Sequence, residues 1–166
     1  CTATSRLVLT EGIADDFLAA LIARADSLAV GDPSIEATQM GPVISSSAQS
    51  SIIAGVDTAR EQGATVLAGG GGYSDGGLAL GHFVAPTIVE LTTTADIWTE
   101  ELFGPVLAVR RAADAEEAFG LANDSEFGLS AAVFTQDLTR ALQAIDRVDV
   151  GVLHINSESA GADPHV

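Results

Sequence analysis

VLAVRRAADAEEAFGLANDSEFGLSAAVFT, residues 106–135, is the stretch whose reading decides the fold class. It opens on an apolar run, 106–110, that reads as a buried strand. Asp114 with Glu117 three residues later forms a capping box, the mark of a helix start, and the helix runs to about Asn123. Gly128 then releases the chain into a second strand, 129–135. The connection between the two strands is long enough to cross over. Parallel pairing requires such a crossover, because a tight turn joins only antiparallel neighbours.

The same rhythm extends in both directions. Upstream, RLVLT (Arg6–Thr10) reads as a short buried strand. Ile13, Phe17, Leu21, Arg24 and Leu28 then mark the inward face of a helix that ends at Gly31, with Pro33 beyond it. MGPVIS, 40–45, is a turn. A second helix, 46–62, places Ile52, Ile53, Val56 and Ala59 inward, and Gly63 is its left-handed cap. Strand Thr65–Ala68 follows at once. AGGGGYSDGGLALGH, 68–82, fits no G-x-G-x-x-G register and lacks the lysine of a phosphate-binding loop, so it reads as a mobile surface loop. It returns as a strand, 83–91, whose Pro86 argues for an edge or a bulge. Downstream, Asp137 caps a helix over 138–147 with Leu138, Leu142 and Ile145 on one face, and strand 151–156 closes the ordered part. The expectation is an α/β fold: one open, largely parallel sheet with helices on both faces, in a single domain over 1–166.

Composition bounds the function classes. Apolar residues make up 47% of 166, enough for a packed core, and the single cysteine cannot form an internal disulfide. A reducing, cytoplasmic setting is therefore expected. No basic-then-apolar leader and no long apolar run is visible, so no membrane partner is expected. The balance of 23 acidic residues against seven arginines, with no lysine, gives a net charge of −16 that repels phosphate backbones. Nucleic acid is not an expected partner.

Several chemistries lack their residues. His82, His154 and His165 have no ligand spacing, no CxxC or HExxH occurs, and no metal site is expected. GLSAA, 128–132, lacks the second glycine of a nucleophile elbow. Glu116 and Glu117 belong to the first turn of a helix, where negative charge suits the dipole. TEELFGPV, 99–106, differs: two carboxylates, an aromatic and a Gly-Pro bend stand just before a strand, where α/β sheets gather ligands. That bend would present Glu101 and Phe103 at the strand entrance.

CTATSR (1–6), TEELFGPV and GVLHIN (151–156), with MGPVIS and GATVLAGG (63–70) between them, stand in an order and spacing that resemble the aldehyde dehydrogenase superfamily over essentially the whole chain. The resemblance implies an aldehyde dehydrogenase catalytic-domain fold and NAD or NADP as cofactor. It implies Cys1 as the nucleophile, whose thiolate attacks a small-molecule aldehyde to give a thiohemiacetal. Hydride transfer to the nicotinamide then leaves a thioester that water hydrolyses to the acid. The backbone N–H of Cys1 would form half of an oxyanion hole. Glu101 would accept hydrogen bonds from the nicotinamide-side ribose hydroxyls, Phe103 would pack beside the nicotinamide, and Asn156 would support the active site.

By the same resemblance, the general base, the oxyanion asparagine and the dinucleotide-binding domain lie upstream of Cys1. These residues are expected to be part of a catalytic domain, inactive alone, from an enzyme that forms homo-oligomers. CTATSR with SESAGADPHV, 157–166, is similar to the branch acting on semialdehydes such as α-ketoglutarate semialdehyde. Two alternatives stay open: an acylating enzyme that passes the acyl group to coenzyme A, and a non-catalytic structural or interaction module.

Overall fold

The computed structural model describes residues 3–159. Its elements in chain order are β1 (Arg6–Thr10), α1 (Glu11–Asp26), α2 (Ser46–Glu61), β2 (Thr65–Ala68), β3 (Thr87–Leu91), α3 (Asp96–Thr99), β4 (Val106–Ala112), α4 (Ala115–Asn123), β5 (Ser130–Val133), α5 (Leu138–Arg147) and β6 (Val152–Ile155). A four-stranded sheet runs β1-β4-β3-β2, and a two-stranded sheet pairs β5 with β6. β4 is parallel to both β1 and β3, β5 is parallel to β6, and only β2 is antiparallel to its neighbour. The α/β class is as expected. The two strands of the opening stretch do not pair with each other, however: β4 lies between β1 and β3, while β5 lies beside β6.

Alternation along β4 explains the layering. Val109 joins Leu9 and Ile88 on one face, where α1 buries Ala14 and Leu18. Val106, Ala108 and Ala112 face the other way, towards Ile52, Val56 and Ala59 of α2, Ile97 and Trp98 of α3 and Leu121 of α4. Helices cover both faces, and each large side chain buried there contributes about 1.5–3 kcal/mol. A third cluster, Phe119, Ala144 and Val148, seats α4 and α5 on β5 and β6.

Local capping signals hold well. Asp114 accepts the Glu117 N–H at 2.9 Å, and the Glu117 carboxylate reaches back to the Ala113 N–H at 2.7 Å. Asp137 accepts the Thr139 N–H at 2.8 Å. Gly63, at φ +93°, ends α2 with two closing bonds: its own N–H donates to Arg60 O at 3.0 Å and the Ala64 N–H to Ala59 O at 2.9 Å. That is a Schellman motif.

Four expectations are corrected. The inward face of α1 is Ala14 and Leu18, whereas Ile13 and Phe17 are exposed. α1 starts directly after β1 with no intervening loop, so the strand sets its phase, and small Ala14 permits close approach. On α5, Leu138, Leu142 and Ile145 are all exposed, and Ala144 makes the buried contact. Pro86 lies outside β3, which begins at Thr87 and is an interior strand; the register shift falls in β2, between Val66 and Ala68. α3, a single turn carrying Ile97 and Trp98 inward, is an element the sequence reading did not anticipate. The glycine run has a packing reason too. Gly69 has φ +65°, and a Cβ there would lie 2.2 Å from Pro86 O, so the backbone passes the start of β3 at a distance only glycine allows.

Candidate functional site

The segment from α3 into β4, residues 100–105, is pinned from one end to the other. Ahead of it, at the first residue of α3, Gln62 at the end of α2 accepts the Asp96 N–H at 2.9 Å and donates to the Asp96 carboxylate at 2.8 Å. At its end, Pro105 O accepts the Thr87 N–H at 2.8 Å. Between these, the backbone lies directly on α2. A Cβ on Gly55 would come within 2.5 Å of Leu102 Cδ2, and one on Gly104 within 2.4 Å of Ile52 Cδ1. Leu102 is thus the inward anchor of this segment, and its two neighbours, Glu101 and Phe103, are both exposed.

Phe103 is 76% exposed and adopts φ +51°. A side chain with a Cβ enters that region at a cost of about 1–2 kcal/mol, and residues held there cluster at functional sites. Among the described residues, the non-glycine positions with positive φ are Phe103 and Asn156. Both were singled out from the sequence.

Asn156 follows β6 and continues the β5–β6 ladder with its side chain. Its N–H donates to Val133 O at 2.9 Å, its Oδ1 accepts the Thr135 N–H at 2.8 Å, and its Nδ2 donates to Thr135 O at 2.9 Å. The amide therefore clamps the end of β5 and turns the chain out of the sheet. His154, two residues earlier on β6, has an enclosed Nε2 with no hydrogen-bond partner among the described residues.

The sequence segments that stand far apart in the chain come together at their edges. Thr4 Oγ1 lies 3.4 Å from Ser159 Oγ, joining the CTATSR segment to the residues that follow GVLHIN. Arg6 stacks over Trp98 of α3 with its guanidinium carbon 5.4 Å from the ring centroid, joining CTATSR to the helix that leads into the 100–105 segment. Cys1 itself lies outside the described residues. Trp98 and its contacts with Arg6 and Arg110 went unread in the sequence; the signal was a lone tryptophan two residues before the Glu-Glu pair.

Neither of two concavities is lined by Glu101, Phe103 or Asn156. One of about 370 Å³ is lined by Asn123, Phe127, Asp149 and Gly151, and one of about 130 Å³ lies beneath Leu102, against Gly55 and Asp96. On this chain the Glu101–Phe103 surface is open rather than enclosed. No three His, Cys, Asp or Glu side chains among the described residues are gathered as a metal ion would need. No helix among them is long and apolar enough to cross a membrane.

Comparison with known proteins gives this surface a context. The aldehyde dehydrogenase family model matches residues 1–166. The α-ketoglutarate semialdehyde dehydrogenase of Haloferax volcanii is 42% identical across 100% of this chain and 34% of its own length. The α-ketoglutaric semialdehyde dehydrogenase of Bacillus subtilis is 38% identical across 98% of this chain and 34% of its own. PnpE from Pseudomonas sp. WBC-3, solved in complex with nicotinamide adenine dinucleotide, superposes with a TM-score of 0.95 at 40% identity, covering 100% of this chain and 34% of that one. The chain thus spans about a third of the length of the relatives it matches. With its motifs, its sheet order and its full length accounted for by these relatives, the chain belongs to the aldehyde dehydrogenase family.

Proposed function

We propose that this chain is the nucleophile-bearing part of the catalytic domain of an NAD(P)-dependent aldehyde dehydrogenase, which oxidises an aldehyde to its carboxylic acid. The observation that carries the reading is the Glu101–Leu102–Phe103 segment, anchored through Leu102 on α2 with its two flanking side chains turned out to solvent.

That surface suits a dinucleotide. Glu101 makes no hydrogen bond or ion pair among the described residues, so its carboxylate is available, and a carboxylate only accepts. A ribose diol offers two donors to such a group. Phe103 supplies an exposed aromatic face one residue away from the anchor. When bound, the cofactor supplies a hydride acceptor. The chain's own residues do the rest: Glu101 orients the sugar, Phe103 limits water beside it, and Asn156 holds the segment after β6 in register. The Cys1 sulfur bonds to the aldehyde carbon and leaves it when water hydrolyses the resulting thioester. Cysteine suits both halves, because the thiolate is a strong nucleophile near neutral pH and a good leaving group from an acyl carbon.

Within this reading, the substrate is a semialdehyde of a dicarboxylic acid. Support comes from the relatives of Haloferax volcanii and Bacillus subtilis, whose names carry that substrate. The test is made in the enzyme that carries this chain. Cys1→Ser should abolish NAD(P)-dependent oxidation of α-ketoglutarate semialdehyde without altering the melting temperature. Glu101→Gln should raise KM for the cofactor about tenfold, since a charge-assisted hydrogen bond is worth about 1.5 kcal/mol more than a neutral one. Full activity of Cys1→Ser would overturn the proposal, and oxidation of betaine aldehyde in preference to the semialdehyde would overturn the substrate.

A further inference from the structure

Trp98 is 1% exposed and is the chain's single tryptophan, yet two arginines approach its ring. The guanidinium carbons of Arg6 and Arg110 lie 5.4 and 5.5 Å from its centroid, inside the range of about 6 Å for cation–π attraction. The register explains how they meet. Arg6 stands opposite Ala108 and Val8 opposite Arg110 in the parallel β1–β4 pair, so both arginines share the face that α3 covers. Among the described residues the indole Nε1 has no hydrogen-bond partner, so packing and the two guanidinium groups hold the ring.

Two cations this close repel, and Asp124 at the end of α4 offsets the repulsion. Its carboxylate lies 3.5 Å from Arg110 Nη1, and its carbonyl accepts from Arg6 Nη1 at 3.5 Å. The carbonyl end of α4 adds its negative dipole. Burial holds the Arg6 guanidinium below its usual value, with Asp124 opposing that effect. Desolvating two guanidinium groups is costly, and an apolar side chain would fill the same space without that cost. Packing alone therefore does not account for arginine at position 6.

We infer that Arg6 is a positioning residue which, through the face of Trp98, fixes the Glu101–Phe103 segment relative to the strand that follows Cys1. One indole separates the two segments that must meet in the reaction. Trp98 stands three residues before Glu101, at the end of α3, and Arg6 opens the strand led by the nucleophile. Loss of the stack would let the cofactor-orienting segment drift while leaving the nucleophile chemically intact. The inference rests on the function proposed above.

The test is a double-mutant cycle in the enzyme carrying this chain, read as KM for the cofactor, kcat and melting temperature. Arg6→Met keeps a flexible, unbranched apolar stem and removes the cation; it should raise cofactor KM about tenfold while Cys1 retains its rate of alkylation by iodoacetamide. In the Trp98→Leu background the same change should add less than about twofold, because its route is gone. Arg6→Lys, which keeps a cation over the ring, should stay within about threefold of wild type. Unchanged cofactor KM in Arg6→Met, an equal penalty with and without Trp98, or a tenfold rise in Arg6→Lys would each overturn the inference. Arg6→Lys decides alone if the other variants do not fold. A wild-type enzyme without NAD(P)-dependent aldehyde oxidation would instead overturn the functional reading, and the positioning role with it.

Discussion

Replacing Gly55 by alanine sets two effects against each other on one methyl group. Gly55 lies inside α2, where alanine is favoured over glycine by about 0.5–1 kcal/mol. The added carbon would lie 2.5 Å from Leu102 Cδ2 and 3.0 Å from Leu102 Cδ1. Comfortable carbon contacts need about 3.5–4.0 Å, so Leu102 must retreat by roughly 1 Å. Overpacking costs about 1–3 kcal/mol in a closed core, and Leu102 is only half-buried on a loop, which places its cost at the low end. The stability terms nearly cancel, leaving a melting temperature within about 3 °C of wild type. The geometry does not cancel, because Glu101 and Phe103 ride on either side of the displaced anchor. A 1 Å error in a positioning element costs up to about 100-fold, so cofactor KM in the enzyme should rise about tenfold. Differential scanning fluorimetry and steady-state kinetics on one preparation give both numbers. Pairing the change with Leu102→Ala should remove the clash, so that Gly55→Ala then stabilises by its full helical preference. A single Gly55→Ala variant that melts higher and keeps the wild-type cofactor KM would refute Leu102 as the anchor of this surface.

Other perturbations address the scaffold and its local chemistry. Gly69→Ala places a Cβ 2.2 Å from Pro86 O at φ +65°, a collision with backbone, and should cost at least about 2 kcal/mol in urea unfolding. Asp114→Ala removes the acceptor of the Glu117 N–H and should cost about 1 kcal/mol in the same assay. The Asp32 carboxylate is held below its usual range by the Ser34 N–H, which it accepts at 2.9 Å. Its contribution to that turn is complete above the unfolded value of about 3.9 and is lost as pH falls through its lower folded value. A carbon-13 titration of Asp32 should therefore show a midpoint below about 3.9, and a midpoint at or above it would contradict the turn.

Signals that act within a few residues were legible in the sequence. Asp114 with Glu117, Asp137 before Leu138 and Gly63 after α2 each announce an end whose hydrogen bonds close inside one helical turn. The motif residues Cys1, Glu101, Phe103 and Asn156 could be chosen from residue type and order, because the resemblance that carries them is written in short strings. The strand pairing of β4 could not be chosen, since an apolar run fits any interior position and its neighbours are settled by which strands are free to flank it.

By itself, the sequence determined the class of fold, most element ends and the identity of the candidate residues. Tertiary structure decided which stripe of α1 and α5 turns inward. A 3.6-residue period accommodates either Ile13 and Phe17 or Ala14 and Leu18, and closeness of approach to the sheet selects the smaller pair. It also decided the outward turn of Glu101 and Phe103 and the stacking of Arg6 on Trp98. Those arrangements depend on groups brought together from Gly55, Ile52, Arg110 and Asp124, each far away along the chain, and only folding places them in reach.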